Sequence, residues 1–298
     1  MSSVVGIDVG GTKIRAIRFL SSDMEGVYHK RLLTEAKKGA DVVFENIVHA
    51  IEGALDESVT AIGIAWAGFV DHEKGIVRTA PNIPGFSNFP LAERLKEKFG
   101  LPVILENDAR LFAYAEATCG AGRDEPVVVG ISLGTGVGSG MILNGNIFRG
   151  AEGFSGEVGQ AFASTCDLKT IETNEFFISG TGLGRDAERF GLKDVVFGNE
   201  AFRKWQDEES PEYDLFELWL TRLSRFLVNI ILFYNPSVVV FGGGVGRTVF
   251  PPFLPEICIR TKFLLKKRNL PPSVFFRLAE IPYSAAFGAG LLAKKISK

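Results

Sequence analysis

Within six positions, Asp8-Val-Gly-Gly-Thr-Lys13 sets an acid, two glycines, a hydroxyl and an amine in a row. That combination suits a polyphosphate. Glycines let the backbone approach an anion and reach positive φ. Successive N–H groups form a concave nest of donors, to which Thr12 adds a hydroxyl and Lys13 a charge. Gly6 and Gly11 have the G-x-x-x-x-G spacing, but Thr12-Lys13 reverses the Lys-Ser/Thr order of a P-loop. A P-loop also opens a helix, whereas Ile14 to Leu20 reads as a second strand. The candidate is an anion site at a strand–turn–strand. For a lone copy, a plain tight hairpin is the better explanation.

The stretch is not alone. VVGIDVGGTKIRAI begins at Val4, and VVGISLGTGVGSGMI begins at Val128. Aligned without gaps, Gly6 falls on Gly130, Ile7 on Ile131, Gly10 on Gly134, and Asp8 opposite Ser132. Gly11-Thr12 falls opposite Thr135-Gly136. A glycine/threonine hairpin that recurs predicts two lobes built on one plan. Facing each other, they would form a cleft with a phosphate-binding turn on each wall.

The elements that position these turns are strands alternating with helices, the pattern of α/β layers. Strands read at Val4–Val9, Lys13–Leu20, Val27–Leu33, Val59–Ala65, Val103–Glu106, Val127–Leu133, Gly138–Leu143 and Val238–Phe241. Helical spacing predicts helices over Val42–Leu55, from Asn107 to about Ala117, and over Leu215–Tyr234, Pro251–Lys267 and Ser284–Lys295. Gly145 to Asn174 reads as loop with a short helix. With 298 residues, 46% hydrophobic and 23% charged, the chain has the globular average and room for one large or two medium domains. A net charge of −2 argues against a dedicated nucleic-acid binder, and the basic run Lys262 to Arg268 reads as a solvated helix end. No apolar run is long enough for a membrane span, and no leader pattern opens the chain. Cys119, Cys166 and Cys258 are widely spaced and form no disulfide framework, so a cytoplasmic protein is expected. His29, His49 and His72 lie in no motif, which argues against histidine-driven chemistry.

Seven segments in order resemble the ROK family of sugar kinases. They are DVGGTK (Asp8–Lys13), WAGFVD (Trp66–Asp71), APNIPGF (Ala80–Phe86), ENDAR (Glu106–Arg110), LGTGVGSG (Leu133–Gly140), GEVGQ (Gly156–Gln160) and FGGGV (Phe241–Val245). The resemblance covers nearly the whole chain. It implies an α/β, two-lobed actin-like ATPase (ribonuclease H-like) fold with an interlobe cleft. The expected N-terminal lobe is 1–110 plus 284–298, and the C-terminal lobe 111–283.

What the resemblance implies is transfer of a phosphoryl group from ATP to a hexose, with Mg²⁺ on the nucleotide. Asp108 would be the general base, accepting the sugar hydroxyl's proton. Asn107-Asp108 equally suits a helix cap. Gly68, Asn82, Asn107, Asp108, Glu157, Gln160 and Glu175 would contact the sugar, with Glu172 a rival to Glu175 if the gap is placed differently. Asp8, Gly10, Gly11, Thr12, Lys13, Gly134, Thr135, Gly136, Gly243 and Gly244 would hold the nucleotide. Asp8 would face the Mg²⁺, because a carboxylate beside a phosphate nest needs a cation between. The sequence departs from the family at three places. Ala67 replaces a proline, Gln160 replaces the histidine of G-E-x-G-H, and of the family's three zinc-site cysteines only Cys166 remains. One cysteine cannot complete a structural zinc site, so no zinc is expected.

Glucose is the leading substrate, with N-acetylglucosamine, N-acetylmannosamine or fructose as alternatives. A sugar-binding sensor of weak activity is the rival. The first phosphate strand starts within three residues of Met1, so no DNA-binding domain is expected. Members of the family are often dimers, which makes a homodimer an expectation. The 25 phenylalanines have no functional explanation in the sequence.

Overall fold

The computed structural model describes residues 1–163, 172–193, 198–270 and 273–297. In chain order the elements are β1 (Ser3–Val9), β2 (Lys13–Leu20), β3 (Gly26–Leu33), α1 (Ala40–Ala54), β4 (Val59–Trp66), β5 (Phe69–Asp71), β6 (Ile76–Thr79), β7 (Ser87–Phe89), α2 (Leu91–Phe99), β8 (Val103–Asn107) and α3 (Asp108–Cys119). There follow β9 (Val127–Leu133), β10 (Val137–Leu143), β11 (Asn146–Ile147), α4 (Asn174–Ile178), α5 (Gly180–Arg189), α6 (Gly198–Trp205), α7 (Pro211–Tyr234), β12 (Val238–Gly242), α8 (Gly243–Thr248), α9 (Leu254–Lys266), β13 (Phe275–Leu278) and α10 (Ser284–Ile296).

The chain divides into two compact units, one of residues 1–119, 147–155 and 281–298, the other of 120–146 and 156–280. The division keeps all of α3 in the first unit, where a boundary near residue 110 would cut the helix. It also returns segment 147–155 to that unit.

The first unit is built on a sheet of order β3-β2-β1-β4-β8. β1 pairs antiparallel with β2 and parallel with β4, and β4 pairs parallel with β8. β1 and β4 are apolar on both faces, as strands covered by helices on both sides must be. α1 presents Val43, Phe44, Ile47, Val48 and Ile51 along one stripe, a 3.6-residue pattern that buries against the sheet. α10 covers β1 and β4 from the other side and packs against α3. Its approach is backbone on backbone: a Cβ at Gly6 would strike the carbonyl oxygen of Ala286, and one at Gly63 that of Ala289. Glu116 of α3, fully buried, accepts the Ile281 N–H (3.0 Å) and the Ser284 hydroxyl (3.1 Å) and so fixes the start of α10.

The second unit repeats the plan, with sheet order β11-β10-β9-β12-β13. β9 pairs antiparallel with β10 and parallel with β12, as β1 does with β2 and β4. Its core is aromatic. Phe216 stacks on Phe253 (5.2 Å) and Phe241 on Phe250 (4.3 Å), beside buried Trp219.

Several elements escape the sequence reading. β5, β6 and β7 form a separate three-stranded sheet, each strand too short for alternation to show. β13 has four residues and α4 five. The helix expected over 251–267 is split: Pro251–Phe253 forms a 3₁₀ turn, and α9 begins at Leu254 with a proline in its first turn, where a missing N–H costs nothing.

Because the sheet and α10 touch through main-chain atoms, Gly63→Ala cannot be absorbed by a rotamer change. It is expected to destabilise the protein by about 3 kcal/mol, the upper part of the overpacking range. Urea unfolding of the variant beside the wild type measures it, and an unchanged midpoint would contradict the packing described.

Candidate active site

Asp8, Ala65 and Glu106 form one row of the parallel ladder, and Val9, Trp66 and Asn107 form the next. Three strands therefore end at one edge, and ligands of open α/β sheets bind outside such carboxyl ends. Three loops leave from that edge: the 10–12 turn, Ala67-Gly68 and the start of α3.

The turn is closed by a Gly10 N–H to Lys13 carbonyl bond of 3.0 Å. Thr34 holds it from the end of β3, donating its hydroxyl to the Gly10 carbonyl (2.5 Å) and its N–H to that of Thr12 (3.0 Å). Neither Gly10 nor Gly11 has positive φ, so the reason the sequence suggested for these glycines is corrected. What Gly11 supplies is space: a Cβ there would lie 2.9 Å from the Asn82 Cβ. The turn and Asn82 are thereby neighbours. Thr12, Lys13 and Asn82 are exposed. Asp8 is partly buried, opposite Arg15 on β2. Burial pushes its carboxyl from 3.8 up to about 6, and the Arg15 charge offsets only part of this.

Asn107 caps α3. Its Oδ1 accepts the Arg110 N–H at 3.0 Å, while its Nδ2 donates to the Gly68 carbonyl (3.1 Å) and to Asp108 Oδ1 (3.2 Å). The cap therefore belongs to Asn107, whose amide is largely committed to structure. Asp108 follows as the first helical residue, and its Oδ1 also accepts the Ala109 N–H at 2.8 Å. Gly68 has φ of 147°, a conformation that favours glycine, and a Cβ would press on the Thr79 carbonyl.

Behind this edge lies a charged cluster that the sequence reading missed. Glu106 is 0% exposed and accepts three donors, the Asn107 N–H (2.9 Å), Arg110 Nη1 (3.3 Å) and Arg149 Nε (2.6 Å), with His72 Nδ1 3.4 Å away. His72 Nδ1 also donates to the Leu105 carbonyl at 2.8 Å, which places its proton on that nitrogen. The one visible signal was Glu106 and Arg110 at helical spacing across Asn107-Asp108.

In the second unit, the β9–β10 turn is closed by the Gly134 N–H on the Gly136 carbonyl (2.9 Å). Gly243 and Gly244 open α8, and a Cβ on Gly134 would lie 3.9 Å from the Gly244 nitrogen. Both glycine pairs therefore border one place. The start of α5 joins them: the Gly180 N–H donates to the Gly134 carbonyl (2.7 Å) and the Thr181 hydroxyl to that of Thr135 (2.8 Å).

Gly156 and Gly159 let the 156–160 stretch lie on β10, where a Cβ would crowd the carbonyls of Ser139 and Val137. Ser139 fastens it, its hydroxyl donating to the Gly156 carbonyl at 2.5 Å. This carries Glu157 and Gln160, and Glu175 joins them by its N–H to the Gly159 carbonyl (2.8 Å). Glu175 Oε2 accepts the Val137 N–H at 2.8 Å, and Oε1 accepts from Gln160 Nε2 at 3.3 Å. Glu175 rather than Glu172 thus reaches the turn. A Cβ on Gly136 would meet that carboxylate, which would have to shift. Cys166 lies outside the described residues. Among the described residues no group of three or more His, Cys, Asp or Glu is placed to hold a metal ion, and no helix is long and apolar enough to cross a membrane.

A model of the ROK family matches residues 4–296. The chain belongs to the ROK family. It is 30% identical to a glucokinase of Thermotoga maritima over 263 residues, covering 82% of each chain. It is 31% identical to an N-acetyl-D-glucosamine kinase of Histophilus somni, covering 86% of this chain and 90% of that one. It is also similar to the crystal structure of a ROK family glucokinase of Streptomyces griseus in complex with glucose and AMPPNP. That match has a TM-score of 0.79 and 26% identity, and covers 99% of this chain and 100% of that one. The fold is that of the actin-like ATPases, and the ROK family here is one of sugar kinases.

The carboxyl of Asp8 gives a pH test. With its value above the unfolded 3.8, the folded state holds the proton more tightly, so Asp8 costs stability increasingly as pH rises from about 4 through 6. Asp8→Asn, studied without nucleotide or divalent cation, is expected to be the more stable protein. Its advantage should grow between about pH 5 and about pH 7.5 to roughly 1–2 kcal/mol, after discounting for partial solvent access. A difference that does not change with pH, in urea unfolding, would contradict the burial of this carboxyl.

Proposed function

We propose that this ROK protein is an ATP-dependent hexose kinase, with glucose the leading substrate and Asp108 the general base. The observation that carries this reading is the placement of Asp108 at the carboxyl end of β8, in the ladder whose neighbouring strand β1 ends in the Gly10–Lys13 turn. A proton acceptor and an anion cradle at one sheet edge are what phosphoryl transfer to a hydroxyl requires.

In this reading Asn82 and the free lone pair of Asn107 Oδ1 fix the reacting hydroxyl. Asp108 takes its proton as the new O–P bond forms to the γ-phosphorus and the bond to the ADP oxygen breaks. Glu157, Gln160 and Glu175 bond the remaining hydroxyls, so that a sugar lacking one leaves a polar group unpaired. Gln160 stands in for a histidine by using both ends of its amide, one of which already holds Glu175. Thr12, Lys13 and the 134–136 turn hold the phosphates, and Gly243-Gly244 border the adenosine. Mg²⁺, when bound, neutralises phosphate charge. Asp8 fits that partner: its partly buried carboxyl receives no hydrogen bond from a described side chain and is held up to about 6, so it gains from a nearby cation. The resemblance to a glucokinase and to an N-acetyl-D-glucosamine kinase at nearly equal identity is why the sugar is settled by assay.

ADP release with Mg-ATP over a panel of hexoses and N-acetylhexosamines tests the proposal, with Asp108→Asn beside the wild type. One sugar should stimulate turnover, and the variant should lose about 10²–10⁴-fold in kcat. Absence of turnover on every sugar, or an unaffected variant, would contradict it.

A further inference from the structure

Arg110, two residues into α3, is only 2% exposed. Its guanidinium donates to Glu106 Oε1 (3.3 Å), to the Ser155 carbonyl (3.3 Å) and to the Gly153 carbonyl. We propose that Arg110 is a positioning residue: it fixes segment 149–155 against the start of α3, and so fixes where the chain leaves the first unit for Gly156-Glu157.

The segment is held at both ends to one carboxylate. Arg149 reaches Glu106 directly at 2.6 Å, and residues 153 and 155 reach it through Arg110. The Ser155 N–H donates to the Arg149 carbonyl (3.1 Å) and closes the loop between them. Gly153 has φ of 79°, so the bend there is built for glycine. The same Glu106 carboxylate accepts the N–H of Asn107, the cap residue beside Asp108. One buried anion thus sets both the cap of the catalytic helix and the course of the segment. Without Arg110, Glu106 loses one of its two arginines and two carbonyls lose their donor, a large penalty for a buried charge. The consequence reaches chemistry because misplacing a reacting group by about 1 Å can cost roughly 10²-fold in rate.

Arg110 and Arg149 also line a cavity of about 730 Å³ in the first unit, together with Phe69, Arg78 and Phe154. That space admits a small planar cation, which makes chemical rescue feasible.

The activity part of this inference rests on the kinase reading; the structural part does not. Arg110→Ala and Arg110→Lys would be compared with the wild type in hexose and ATP kinetics, with and without millimolar ethylguanidinium. Amide hydrogen exchange of the apo proteins would be followed in parallel. Arg110→Ala is expected to lower kcat by about 10–100-fold, with the KM for ATP within about twofold. Ethylguanidinium should restore at least about fivefold to the alanine variant and nothing to the wild type, and Arg110→Lys should recover only part of the loss. Exchange should accelerate in 149–155 and stay unchanged in β9 and β10. Unchanged kcat in an active enzyme, or unchanged exchange in 149–155, would overturn the assignment. If the alanine variant exchanges throughout, the lysine variant decides: faster exchange confined to 149–155 supports it, and exchange spread over the unit overturns it. A wild type inactive on every hexose would sink the kinase reading, while the exchange result would still decide for or against Arg110.

Discussion

In the first unit, parallel pairing of β1, β4 and β8 leaves Val9, Trp66 and Asn107 side by side at one edge. Slipping one strand by a residue would turn its side chains to the opposite face. The register is held by what covers the sheet. α10 sits so close that glycine is required at positions 6 and 63, on two neighbouring strands. A helix seated on main chain rather than on side chains leaves little freedom for those strands to slide. The positions of Asp8, the Gly10–Lys13 turn, Gly68 and Asp108 all follow from that ladder.

The second unit reaches a related result with the same plan and different side chains. Its turn, Gly134–Gly136, is braced not by a threonine, as Thr34 braces the first, but by a carboxylate, since Glu175 accepts the Val137 N–H. Glu175 in turn is held by Gln160. The pair ties residues proposed to touch sugar to a turn proposed to touch phosphate, within one unit. Placing a carboxylate beside an anion cradle is costly unless its charge is spent on other donors. Here an N–H and an amide supply them.

Local chemistry made much of this legible in the sequence. Gly-Gly-Thr turns, long β-branched strands and the cap signal Asn107-Asp108 are set by neighbours a few residues apart, and each is found where the spacing put it. The repeated hairpin was readable for the same reason. The explanation of the glycines was not: positive φ is a local property, but the space at Gly11 is limited by Asn82, which is distant in the chain. The three-stranded sheet β5–β7 has strands too short to show a period. The cluster of His72, Glu106, Arg110 and Arg149 is spread over three segments, and only folding brings its charges onto one carboxylate. His72, which lay in no motif, meets that cluster only through folding.

The central claim is that Asp108 receives the proton of the reacting hydroxyl. The most direct measurement is a crystal structure of the protein with its preferred hexose and a non-hydrolysable ATP analogue. The account predicts one hexose hydroxyl within about 2.6–3.2 Å of an Asp108 carboxylate oxygen, on the side facing the γ-phosphate. A sugar whose hydroxyls all lie more than about 4 Å from Asp108, with another acidic group in contact instead, would contradict it.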